Sequence, residues 1–307
     1  MTEWFNDKFE RERLTKYTKR NLRKKNVFAG FFKKLSITNL LIIINVVIFI
    51  IISLISMILG EEIVRSFVAI QGNNFFNGYI WTPLTSMFMH ANLVHLFVNM
   101  FSLFFLGNFV EKIIGRKRYL IFYLISGIFA GIFFAILAYG FGGVCIVNLF
   151  SGCLGEKLFS NPLTFAVGAS GAIFALAGLL ALLTPKNKVY LIVGPLIAII
   201  LMTILSGLLG DNPGLGALSL LINIYIIFSI FALFSPRLRR YAIPLEMPFW
   251  VLPVIAIVPL VIIGLFIDLP IGNTAHLGGL IVGLIYAMYL KKKYKKKTEM
   301  ISRMFSK

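Results

Sequence analysis

Charge is scarce in this sequence, and acid is scarcer still. Of 307 residues only 14% are charged, with 12 Asp and Glu set against 30 Lys and Arg, whereas an ordinary soluble domain carries about a quarter. That shortage excludes a water-soluble globular chain of normal composition. Histidine occurs three times and cysteine twice. Cys145 and Cys153 have no His or further Cys beside them, so they do not form a metal-ligand set, and neither a metal nor a cofactor is expected. What fills the sequence instead is apolar: 59% hydrophobic residues and a mean hydropathy of +0.89.

The apolar residues form blocks long enough to cross a hydrocarbon core, which takes about 20 helical residues. Spans are expected at 36–59, 94–114, 119–140, 165–184, 189–209, 214–234, 249–268 and 274–290. The first block follows a long basic arm and lacks a small-residue cleavage site after it, so it reads as a retained span rather than a signal peptide. The expected fold class is all-α, a polytopic transmembrane helical bundle of eight spans. A basic arm, 1–35, precedes a membrane domain over 36–290, and a basic tail, 291–307, follows it.

A net charge of +18 invites a nucleic-acid reading, but the placement of the cations argues for topology. Eleven lie in residues 1–34 and eight in 291–307. Most others fall in every second loop: Lys112 with Arg116 to Arg118, then Lys186 and Lys188, then Arg237, Arg239 and Arg240. Only Arg65 and Lys157 land on the opposite side, so both termini are expected in the cytoplasm. The tail reads chiefly as a topology signal. The arm, with Trp4, Phe5 and Phe9 among its cations, suits either an anionic inner leaflet or a solvated anchor. The loop bearing Cys145 and Cys153 falls outside, where a disulfide is chemically allowed. Deleting a pair of spans would preserve the charge pattern, so a six-span chain with a re-entrant hairpin at 189–234 fits as well.

Polar groups inside spans are costly and mark function. His90 and His95, Ser170, and His276 all lie where a span enters from the outside, so three helices bring reactive groups to a similar depth. Small neighbours bare the hydroxyl in Gly168-Ala169-Ser170-Gly171. A serine needs a base to become a nucleophile, and His276 is the only histidine on a C-terminal span. Stripes of small residues, Ala275, Gly279 and Gly283 on one helix and Gly171, Ala175 and Gly178 on the other, allow close packing of the two. His95 and Asn99, four apart, share a helical face and offer donors to a developing oxyanion, as does the Ser170 N–H. Asp268 reads as a loop charge, which leaves a Ser–His dyad without an acid.

These motifs resemble those of the rhomboid family of intramembrane serine proteases. The stretch His90-x4-His95-x3-Asn99, the Gly168-x-Ser170-Gly171 turn and Ala275-His276-x2-Gly279-x3-Gly283 match that family in order and spacing, and Trp81 and Glu111 also fit. The similarity covers roughly 36–184 and 245–290. It implies Ser170 as nucleophile, His276 as base, His95 and Asn99 as oxyanion donors, and His90 as a loop-fixing residue. The implied partners are single-pass transmembrane substrates cut near the outer ends of their helices, with membrane lipids around the chain and no nucleic acid. The implied location is the cell membrane.

Three departures stand out. Trp81-Thr82 replaces a common Trp-Arg, Phe174 stands where a Tyr often stacks on the histidine, and 189–234 is an inserted apolar pair. Two rivals are a catalytically silent binder of membrane helices with the same fold, and a transporter. The transporter lacks an intramembrane carboxylate pair and an internal repeat to support it.

Overall fold

The computed structural model describes residues 35–304 apart from 146–147, 150–151, 193, 195–196, 199, 203, 206–212, 233–234, 236 and 266–271. The basic arm before Leu35, several positions of the expected fifth span and Asp268 thus lie outside the described residues.

The first long helix, α1 (Ile37–Leu59), starts where the Ser36 hydroxyl accepts the Asn39 N–H, a side-chain cap for an otherwise orphaned donor. It stops at Gly60, whose φ of +91° ends the helical path. A connecting region of short elements follows: α2 (Glu61–Val68), β1 (Ile70–Gln71), α3 (Gly72–Phe76), α4 (Thr82–Thr85) and a 3-10 turn over Ser86–Phe88. Helix α5 (Leu93–Ile114) is capped by Asn92 and breaks at Gly115, φ +85°, before α6 (Arg116–Phe141). Then come β2 (Asn148–Leu149), β3 (Gly152–Cys153), α7 (Leu154–Phe159), β4 (Phe165–Ala166), α8 (Ser170–Leu183) and β5 (Lys188–Ile192). The chain continues through α9 (Pro213–Ala232), β6 (Pro244–Pro248), α10 (Leu252–Gly264), α11 (Asn273–Lys293) and α12 (Lys295–Met304).

Among the described residues, α1, α5, α6 and α11 are long and apolar enough to cross a membrane. Their outer faces carry exposed Ile, Leu and Phe, such as Ile50 and Leu54 on α1 and Phe104 on α5, as lipid contact demands. Helix α8 differs. It has 14 residues, of which 11 are buried, and it forms the axis around which α5, α6 and α11 pack.

The α8–α11 contact depends on glycine. A Cβ on Gly279 would meet the Gly171 carbonyl oxygen, and one on Gly283 would meet that of Ala175. The two backbones therefore approach closer than any side chain permits, the close packing that small residues allow between membrane helices. On the other side of the bundle, the buried Glu111 carboxylate of α5 accepts the Ile37 and Thr38 N–H groups at 2.9 Å each and the Thr38 hydroxyl at 2.8 Å. Glu111 thus satisfies free donors at the α1 N-terminus, where negative charge is favoured.

Two expected spans need correction. The fourth was placed from residue 165, but the helix begins at Ser170, because Phe165 and Ala166 pair antiparallel with Gln71 and Ile70. The fifth was placed from residue 189, but Lys188–Ile192 is a strand paired with Pro244–Pro248. A continuous apolar run does not by itself distinguish strand from buried helix, and here a partner 52 to 60 residues on decides. The fold is mostly helical, as expected, with three two-stranded ribbons among the described residues. The described residues of 188–249 touch the bundle through Phe249 against Phe109, near one end of α5, and through Phe231 against Phe97, near the other. In the loop after α6, Cys145 is disulfide-bonded, and no described cysteine is free.

Candidate active site

Ser170 is the first residue of α8, so its N–H is among the four that no helical carbonyl receives. The turn before it is held from two sides. The Gly168 N–H donates to the Ser86 carbonyl at 2.8 Å, and its φ of +116° is a conformation that side chains resist. A Cβ there would also come within 2.9 Å of His95 Cε1 and Nε2 and 3.6 Å of Asn99 Nδ2. Gly168 is thus the place where α5 reaches the Ser170 turn.

On α11, His276 Nε2 lies 2.8 Å from Ser170 Oγ, although the residues are 106 apart in sequence. The Phe174 ring, one turn along α8, stacks on the imidazole with centroids 4.3 Å apart and planes 13° from parallel. The missing Tyr hydroxyl thus leaves the stacking intact. His276 Nδ1 is buried and has no hydrogen-bond partner among the described residues. With Oγ–H donating to Nε2, the ring proton is assigned to Nδ1.

His95 and Asn99 are brought to the same turn. Asn92 Oδ1 accepts the His95 N–H at 2.8 Å and fixes the start of α5. His95 Nδ1 faces the Ala91 N–H at 3.5 Å, which assigns the proton of a neutral ring to Nε2, the nitrogen beside Gly168. Asn99 Nδ2 donates to the His95 carbonyl at 3.0 Å, leaving its second hydrogen for the site.

His90 stands behind this group. It is buried, and its ring meets His95 edge to face at 5.2 Å. Neither of its nitrogens completes a well-aligned hydrogen bond among the described residues. Burial first, then the His95 ring, hold its pKa down from 6.5 to about 4, with the Phe88 backbone opposing. His90 is therefore neutral at physiological pH. Its place, in the loop that leads into α5, is that of a support.

The residues given site roles from the sequence, Ser170, His276, His95, Asn99, His90, Gly168 and Phe174, fall into this cluster, and the glycines fall into the helix contact beneath it: a Cβ on Gly171 would lie 3.6 Å from the Ala275 carbonyl, and Gly279 and Gly283 seat α11 on α8. Reasoning from side-chain types missed the Ser86 carbonyl, a backbone group with no sequence signature. It also missed Arg65, whose guanidinium lies 5.6 Å over the Phe165 ring in the strand leading to Gly168. Trp81 Nε1–H donates to the Phe67 carbonyl and the Thr82 hydroxyl to that of Tyr79, so both close the connecting region before α5 from within. Among the described residues, no three His, Cys, Asp or Glu side chains converge on a metal position.

The family profile of the rhomboid domain matches residues 77–221 and 212–293, which take in His90, His95, Asn99, Ser170, Phe174 and His276. The chain belongs to the rhomboid family. Relatives of this rhomboid chain include the putative rhomboid protease YdcA of Bacillus subtilis (strain 168), 31% identical over 103 residues, which are 33% of the chain and 40% of the relative. The rhomboid protease GluP of the same organism is 26% identical over 185 residues, 60% of the chain and 32% of the relative. An Arabidopsis thaliana protein named inactive RHOMBOID-like protein 8 is 34% identical over 82 residues, 27% of the chain and 23% of the relative. The chain spans less than half the length of each of these relatives.

Proposed function

We propose that the chain is an intramembrane serine endopeptidase of the cell membrane, with Ser170 as nucleophile and His276 as general base. The observation that carries this reading is the 2.8 Å contact between Ser170 Oγ and His276 Nε2. Oγ attacks the scissile carbonyl while its proton passes to Nε2. The tetrahedral oxyanion is met by the Ser170 N–H, His95 Nε2–H and the spare Asn99 amide hydrogen, donors set in place before charge develops. His276 then protonates the leaving amine, and water, activated by the same nitrogen, hydrolyses the acyl-enzyme. Phe174 holds the imidazole plane throughout. That Nδ1 has no hydrogen-bond partner among the described residues supports a dyad rather than a triad.

The proposed substrates are single-pass transmembrane proteins, cut near the outer end of the helix at a small residue. A helical peptide bond is shielded by its own hydrogen bonds, so poor helix formers are favoured. The topology belongs to the same proposal: eight spans, both termini cytoplasmic, and 189–234 an inserted pair whose first span starts beyond Ile192. Charge supports it. Arg118 lies over Tyr294 at the α6–α11 junction beside Lys291, Lys292 and Lys293, at the end of the bundle away from Ser170, as the positive-inside rule requires.

Ser170→Ala is expected to abolish cleavage of a reconstituted substrate helix while leaving the fold intact. A relative named inactive keeps a second reading in view, a binder of membrane helices without chemistry. Labelling by a serine-reactive fluorophosphonate separates the two: the protease is labelled and His276→Ala is not, whereas the binder is labelled in neither form.

A further inference from the structure

The basic tail is not merely a string of cations. After α11 ends at Lys293 the chain turns at Tyr294 (φ −125°, ψ 44°) and resumes as α12. Thr298 and Ile301 are buried, and α12 lies against both α11 and the central helix α8. It therefore folds across the end of the bundle instead of prolonging α11 away from it.

That docking leaves a face of mixed character outward. Met300 and Met304, one turn apart, are 54% and 58% exposed. Lys296 and Arg303 flank them, and with Glu299 these residues line a shallow depression. Beside it, Lys293 donates to the Tyr289 hydroxyl at 2.8 Å and lies over the Tyr289 and Tyr294 rings. Tyr and Lys at a span terminus mark the headgroup level. A helix at that level with flexible apolar side chains between cations has the composition of an interfacial element that takes up anionic lipid.

We propose that α12 is a docking surface for anionic phospholipid headgroups. The lipid phosphate sits at Lys296 and Arg303, and Met300 and Met304 enter the acyl boundary. This site is separate from Ser170 and does not depend on its reactivity. It goes beyond a topology signal, because a topology signal needs only charge, whereas the docked helix adds the apolar stripe and the depression.

The test uses the full chain in nanodiscs. Met300→Cys adds a thiol for a bimane label, and Met57→Cys, on the exposed far end of α1 (84% exposed), serves as control. Bilayers of phosphatidylcholine with a minority of phosphatidylglycerol are made with bromine on the acyl chains of one lipid or the other. Brominated phosphatidylglycerol is expected to quench the label at 300 several-fold more, per mole, than brominated phosphatidylcholine, with no such preference at 57. The excess is expected to vanish in Lys296→Gln/Arg303→Gln. Equal quenching by both lipids at 300 overturns the proposal. So does an absence of quenching, which would leave α12 in water or under a protein partner, and so does an equal preference at 57. Because the preference is read first on unaltered cations, misfolding of the double variant does not decide the outcome.

Discussion

Gly279 of α11 rests directly against the Gly171 carbonyl of α8, with no room for a Cβ between them. This contact sits one turn below the Ser170–His276 pair and sets the distance between the helices that carry it. Gly279→Ala is expected to push α11 outward and lengthen the Oγ···Nε2 contact. A displacement of about 1 Å costs on the order of 100-fold in rate, so cleavage should fall by about that factor. Gly216→Ala, at a site with open space, should leave it unchanged.

The stacked Phe174 ring makes a second expectation. Phe174→Ala removes a contact of about 0.5–1.5 kcal/mol beyond area burial and frees the His276 ring, lowering kcat by about tenfold. Phe174→Tyr should retain the activity. Turnover of one substrate helix by the three proteins checks this, and equal loss in both variants would count against the stacking role.

Glu111 acts at the opposite end. Glu111→Gln keeps the shape but removes one acceptor oxygen from the three hydrogen bonds at the α1 N-terminus, at about 1–3 kcal/mol for the donor left unmet. Thermal unfolding in detergent should fall accordingly. Activity per folded molecule should stay near that of the parent, since α1 carries no part of the site.

Acid should weaken the fold through His90. Its folded pKa of about 4 lies below its unfolded value of 6.5, so protonation favours the unfolded chain. Stability is whole above pH 6.5 and is lost as pH falls from 6.5 through 4, by about 1.4 kcal/mol per pH unit. His90→Gln should flatten this slope between pH 6.5 and 5 in thermal unfolding. Parallel slopes for the two proteins would show that the sensitivity arises elsewhere.

The side chains of the candidate site were legible in the sequence because they lie at fixed helical spacing. His95 and Asn99 could share a face only four apart, and the small residues around Ser170 and His276 could serve little else than close approach. Features that depend on backbone meeting distant backbone were not legible. Strand β5 looked like the start of a helix because its partner, β6, lies far along the chain, and Phe165 looked helical because nothing nearby reveals its pairing with Gln71. The Glu111 cap joins residues 73 and 74 apart, a relation that periodicity does not encode.

Helix α8 rises about 21 Å over its 14 residues, while the hydrocarbon core is about 30 Å thick. Under the proposed topology, with its Leu183 end at the basic surface, the Ser170 hydroxyl would stand roughly 9 Å beneath the other one. A bond at that level would be presented most readily by a polypeptide already partitioned into the bilayer. The shortness of one helix would thus screen clients by address before sequence is read, and lengthening α8 by a turn would be expected to relax that screen toward soluble chains.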